Sequence, residues 1–116
     1  MMRRAAFRLA MGLCVGLFPQ LSWADQYLDA SRAATEQESA GRLDAAAEIL
    51  EAIAPQYPQD LELALRMAWL RFRAESYRRA FRHYEDALRI SPLSVDGHLG
   101  IGWTLQRLGR CDDARP

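Results

Sequence analysis

Lysine is absent. All fifteen basic residues of the 116-residue chain are Arg, and fifteen Asp and Glu balance them to a formal charge of zero. Without a basic excess there is no electrostatic footprint for nucleic acid, and without an acidic one no long acidic tail. Cysteine is nearly absent too, and Cys14 with Cys111 cannot form a disulfide framework. Only two His and seven Gly are present. His83 and His98 lie 15 apart with no Cys or His at metal-ligand spacing. Asp96 and His98, two apart on one expected helix, point their side chains in different directions. No glycine-rich phosphate loop, nucleophile elbow or HExxH motif occurs. The acid pairs Glu36/Glu38, Glu85/Asp86 and Asp112/Asp113 read as solvated helix faces rather than acid–base pairs. These absences predict a chain that is not an enzyme and takes no cofactor or metal.

Long hydrophobic runs are lacking as well. Leu9 to Phe18, ten residues, is uncharged and mostly apolar, but as a helix it spans about 15 Å against a hydrocarbon core of roughly 30 Å. Arg3, Arg4 and Arg8 precede it, Pro19 ends it, and Ser22-Trp23-Ala24 puts small residues at the positions a signal peptidase reads. Charged start, short apolar run and small-x-small site describe a secretory signal peptide over residues 1–24, cut between Ala24 and Asp25. A lipidated Cys is disfavoured, since Cys14 follows Leu13 inside the apolar run. The expected mature chain, residues 25–116, has no membrane span, carries twelve Arg against fifteen acids, and keeps only Cys111. Its expected location is the periplasm or the exterior, with association at the outer membrane as a variant. Cys111 reads as structural rather than as a reactive thiolate.

What is present is a stride of 34. Pro58 and Pro92 are separated by it, as are Ala46 and Ala80, Leu43 and Tyr77, Leu50 and Tyr84, Trp69 and Trp103, and Met67 and Ile101. Gly41 and Gly109 are two strides apart. Within each unit the apolar residues follow helical spacing, as in Leu63, Met67, Leu70 and Ala74. The pattern predicts helices near 27–40, 43–54, 61–74, 77–90 and 95–108, with a stub from 111. Tyr57-Pro58 and Ser91-Pro92 end helices, because the residue before Pro avoids the α region. Gly41 and Gly109 fall at turns between helices, where a positive φ is often needed.

The mature chain resembles the tetratricopeptide repeat family, whose 34-residue helix–turn–helix units carry small residues where paired helices touch. Met67-Ala68, Tyr77, Ala80, Tyr84, Ala87 and Pro92 occupy the signature positions of the unit 61–94. The unit 27–60 is weaker, with Ala30 and Gln37 where the family prefers a large aromatic; the unit 95–116 is incomplete. The resemblance implies an all-α fold, a right-handed α-solenoid of antiparallel helix pairs with about two and a half units. Pro116 falls some six residues into the last helix, which would leave Ile101, Leu105 and Leu108 uncovered and offer a surface for self-association.

In this family the first helices of successive units line a concave groove. Positions one stride apart then stack along it: Trp69 with Trp103, Arg73 with Arg107, Leu65 with Leu99. Arg66, Phe72 and Gln106 complete the expected partner-binding residues. Aromatics and Arg are enriched at interaction hot spots, so the expected partner is a protein or peptide segment, not nucleic acid. The other reading of Trp69 and Trp103 is packing between units. The chaperone-binding repeats of the family grip a carboxylate through basic and amide residues; those positions here hold Ser31, Thr35, Arg66, Asp96 and Gly100, which do not match. Charge is segregated: 25–64 has two Arg and nine acids, 65–90 has seven Arg and three acids. That favours either a complementary partner or pairing between adjacent helices. An alternative function is an N-terminal periplasmic scaffold segment of a longer outer-membrane or export-assembly protein.

Overall fold

The structure, a computed structural model, describes residues 22–110. Every regular element among them is helical: α1 Trp23–Ser39, α2 Leu43–Ile53, a 3-10 turn Ala54–Gln56, α3 Leu61–Arg73, α4 Tyr77–Ile90 and α5 Val95–Arg107. The expected signal peptide up to residue 21, the stub from residue 111, Cys111 and Ala114 lie outside the described residues.

Local chemistry sets the starts. The Ser22 hydroxyl accepts from the Asp25 amide, the Asp60 carboxylate from Leu63 and the Ser94 hydroxyl from Gly97. Each satisfies one of the amides that the first turn of a helix leaves unpaired. Ser22 also explains why α1 begins at Trp23 rather than near residue 27. Ser22, one of the two small residues that read as a cleavage site, acts here as a cap. The Tyr57 hydroxyl donates to the Trp23 carbonyl and ties that first turn to the 3-10 segment.

The ends repeat one device. After α1, the Gly41 amide bonds the Glu38 carbonyl at 3.0 Å and the Arg42 amide bonds Gln37 at 2.9 Å. After α3, Glu75 bonds Phe72 at 3.0 Å and Ser76 bonds Arg71 at 2.9 Å. After α5, Gly109 bonds Gln106 at 3.1 Å and Arg110 bonds Leu105 at 2.8 Å. This double bond is the Schellman closure, which requires a left-handed residue just past the helix. Gly41, Glu75 and Gly109 take it, at φ of 78°, 63° and 73°. The middle turn has the same backbone without a glycine.

Consecutive helices pack on one another, and α3 also touches α5. One core joins α1, α2 and α3 through Ala34, Ala46, Ala47, Leu50, Leu63, Met67 and Leu70. A second joins α3 and α4 through Ala68, Ala80 and Tyr84, with Ile101 of α5 against it. Ala34 and Ala46 in the first core become Ala68 and Ala80 one stride later, all fully buried. The absence of side-chain bulk at these positions lets paired helices come close. Ala34 is the only residue that α1 buries completely, in keeping with small residues at positions 30 and 33. Between α4 and α5 the approach is closest at Gly100, where a Cβ would collide with the Tyr84 ring, and at Gly97, where it would stand 2.8 Å from Leu88 Cδ2.

Candidate protein-interaction site

The stride places Trp69 on α3 and Trp103 on α5, and those two helices are in contact. Their ring centroids are 6.4 Å apart with the planes tilted by 55°. Phe72, three residues on from Trp69, stacks on it at 5.8 Å and 11° and stands 6.4 Å from Trp103. Tyr77, at the start of α4, meets Phe72 edge-on at 5.4 Å. Four rings from three helices thus form a continuous aromatic surface, a set of contacts that fixes ring orientation as well as burying area. It is not sealed: Trp69 remains 44% and Trp103 45% exposed.

Beside this surface opens a cavity of about 440 Å³ lined by Glu62, Leu65, Arg66, Trp69, Tyr84, Asp96 and Trp103. Of the residues expected from sequence, the structure gathers Leu65, Arg66, Trp69 and Trp103 there, with Phe72 against the same indoles. Leu99, Gln106 and Arg107 are exposed on α5 but do not line the cavity. Arg73 also stands outside it, its Nη1 2.6 Å from Glu38 Oε1 of α1. Arg66 reaches α1 as well: Nη1 donates to Ser31 Oγ at 2.7 Å and Nη2 to Thr35 Oγ1 at 2.8 Å.

Glu62, Tyr84 and Asp96 were not among the expected site residues. Glu62 and Asp96 are 34 apart, and that spacing was the available signal. Burial, with the Asp96 carboxylate nearby, pushes the Tyr84 hydroxyl up to about 12, so it stays a neutral phenol.

Part of the segregated charge of the sequence is paired inside the molecule: Glu38, Asp44 and Glu51 meet Arg71 and Arg73. Arg71 of α3 is 2% exposed, an unusual place for a guanidinium. Its Nε and Nη2 each donate to a Glu51 oxygen at 2.8 Å, and its Nη1 donates to Asp44 at 2.7 Å. His83 Nε2 of α4 lies 2.9 Å from Glu51 Oε1, while its buried Nδ1 has no partner among the described residues. The Arg71 hydrogen bonds hold the Glu51 carboxyl below its ordinary value and raise that of the guanidinium. This node cross-links α2, α3 and α4. It borders a second cavity of about 420 Å³ lined by Glu51, Tyr57, Met67 and His83 among others.

No protein-family model matches the chain, and no curated protein matches it. A solved structure of a MamA mutant, a tetratricopeptide-repeat-containing protein, superposes with a TM-score of 0.68 at 20% sequence identity, over 75% of this chain and 48% of that one. The fold is tetratricopeptide-like. The present chain spans about half the length of that solved neighbour. In the tetratricopeptide-like frame, Gln37, Arg71 and Leu105 are equivalent by stride; Arg71 and Leu105 are buried, so Leu105 is not part of the uncovered face expected on α5, where Ile101 and Leu108 are half-buried. A charged residue has therefore taken a core position, and its burial is matched by two carboxylates through three hydrogen bonds.

Among the described residues no group of three His, Cys, Asp or Glu stands close enough to share a metal ion. No described helix is long and apolar enough to cross a membrane.

Proposed function

We propose that this chain is an exported protein-interaction module that captures an extended or helical protein segment on the face bearing Trp69, Phe72 and Trp103, without catalysis. The face is the concave side of a right-handed solenoid in this reading, and its units are those of the sequence: 27–60, 61–94 and an incomplete 95–116. The observation that carries the reading is the pair of nearly half-exposed indoles 6.4 Å apart on neighbouring helices. Rigid aromatic area left facing solvent stabilises a partner at small entropic cost, because little side-chain freedom remains to be lost. The tetratricopeptide-like neighbour supports a protein as that partner, since the fold presents stacked helices along which a segment can lie.

Export to the periplasm rests on the sequence of residues 1–24. A cut after Ala24 falls within the first turn of α1 and removes both the Ser22 cap and the Trp23 carbonyl that accepts from Tyr57. Intact-mass analysis of the protein recovered from the cell envelope tests this part: a chain starting at Asp25 supports it, and a full-length chain overturns it.

A photoreactive residue at Gln106, one helical turn on from Trp103, tests the groove itself against one at Glu48 on α2; both positions are exposed. The expected result is a specific crosslinked partner from Gln106 and none from Glu48. Equal yields from both positions would place the contact elsewhere.

A further inference from the structure

The cavity beside the indoles is acidic as well as aromatic, and that combination selects a partner chemistry. Glu62 on α3 and Asp96 on α5 occupy equivalent positions one stride apart, as do Trp69 and Trp103. All four line the same 440 Å³ space. Neither carboxylate has a hydrogen-bond or ion-pair partner among the described residues, whereas Glu38, Asp44 and Glu51 are each matched by an Arg. The one cation among the described lining residues, Arg66, sends its guanidinium to the Ser31 and Thr35 hydroxyls of α1, which leaves those residues with one net negative charge. Tyr84 contributes a neutral phenol ring.

Aromatic faces carry negative charge density and attract a cation lying over them. Carboxylates at the rim of the same pocket add to that attraction, and a pocket partly shielded from water weakens it less than bulk solvent does. A carboxylate-bearing segment would meet repulsion here, in accord with the mismatch at the positions where related repeats grip a carboxylate.

We infer that this cavity takes the cationic side chain, arginine or lysine, of the bound protein segment, with Trp69 and Trp103 against the charge and Glu62 and Asp96 as its counter-ions. The inference rests on the groove reading and adds the chemistry of the residue that anchors in it.

The test is a titration of the full chain, followed by tryptophan fluorescence, with two short blocked peptides of the form Ala-Leu-X-Leu-Ala. X is arginine in one and citrulline, its neutral isostere, in the other. The expected result at low salt is about tenfold tighter binding of the arginine peptide, equivalent to about 1.4 kcal/mol. That preference should fall below about twofold in the Glu62→Gln/Asp96→Asn variant and in roughly 0.5 M salt, where exposed charges are screened. Asp96→Asn alone, expected to lose part of the preference, serves if the double variant loses its helical circular dichroism. Equal affinity for both peptides, an undiminished preference in the variants, or no saturable response to either up to about 5 mM overturns the assignment. Failure here is separable from failure of the groove, because a citrulline peptide that binds as well, or a Gln106 crosslink that persists, leaves an aromatic site without a charge preference.

Discussion

Arg71 and Glu51 meet fork to fork: Nε and Nη2 of the guanidinium each stand 2.8 Å from one carboxylate oxygen. Two parallel charge-assisted bonds are stronger and more directional than a single contact, and here they join α2 to α3. Because Arg71 is buried, deleting Glu51 costs more than breaking an exposed ion pair would, as the guanidinium is left with Asp44 alone as its counter-charge.

Glu51→Gln should therefore destabilise the fold by about 1–3 kcal/mol near neutral pH, read from urea denaturation. A loss within experimental error would mean that the node contributes shape but no net stability.

The same pair sets a pH dependence. Folding lowers the Glu51 carboxyl below its ordinary value of 4.5, so the folded state binds a proton less readily than the unfolded one. Its contribution is fully present above that ordinary value and is lost as pH falls through the lowered one. The stability gap between wild type and Glu51→Gln should thus narrow progressively below about pH 4. A gap that widened on acidification would reverse the sign of the linkage.

Glu75 takes a left-handed φ of 63° at the turn where Gly41 and Gly109 stand one stride before and after it. A side chain in that region costs about 1–2 kcal/mol, partly offset in Glu75→Gly by the greater freedom glycine has when unfolded. Glu75→Gly should stabilise by about 0.5–1 kcal/mol and raise Tm by a few degrees. Glu75→Val, branched at Cβ, should lower it.

Tyr84 packs on the bare backbone of Gly100. Gly100→Ala should cost about 1–3 kcal/mol through overpacking, despite alanine's better helix propensity. The cost should shrink when Tyr84 is replaced by Leu, and a cost unchanged in that background would show that the ring is not the obstacle.

The stride of 34 and the helical spacing inside it were sufficient to place five helices, the two glycine turns and the small-residue contacts, because each follows from local backbone preference or from period alone. The start of α1 was missed by four residues, since Ser22 serves equally as a peptidase-site residue and as a cap. Arg71 was not legible: a lone Arg on a helix reads as solvated, and only the positions of Asp44, Glu51 and His83 on two other helices account for its burial. The same limit applied at the site. Arg73 looked free to meet a partner until Glu38 stood beside it, and Glu62 with Asp96 carried no signal beyond their spacing until both lined one cavity with the indoles.

The central claim is that recognition depends on the two indoles together. Trp69→Ala with Trp103→Ala, followed by crosslinking in the native envelope and recovery of the protein, tests it most directly. The account predicts an unchanged helical circular-dichroism spectrum with loss of the partner that wild type captures. Recovery of the same partner in wild-type amount from the double variant would contradict it.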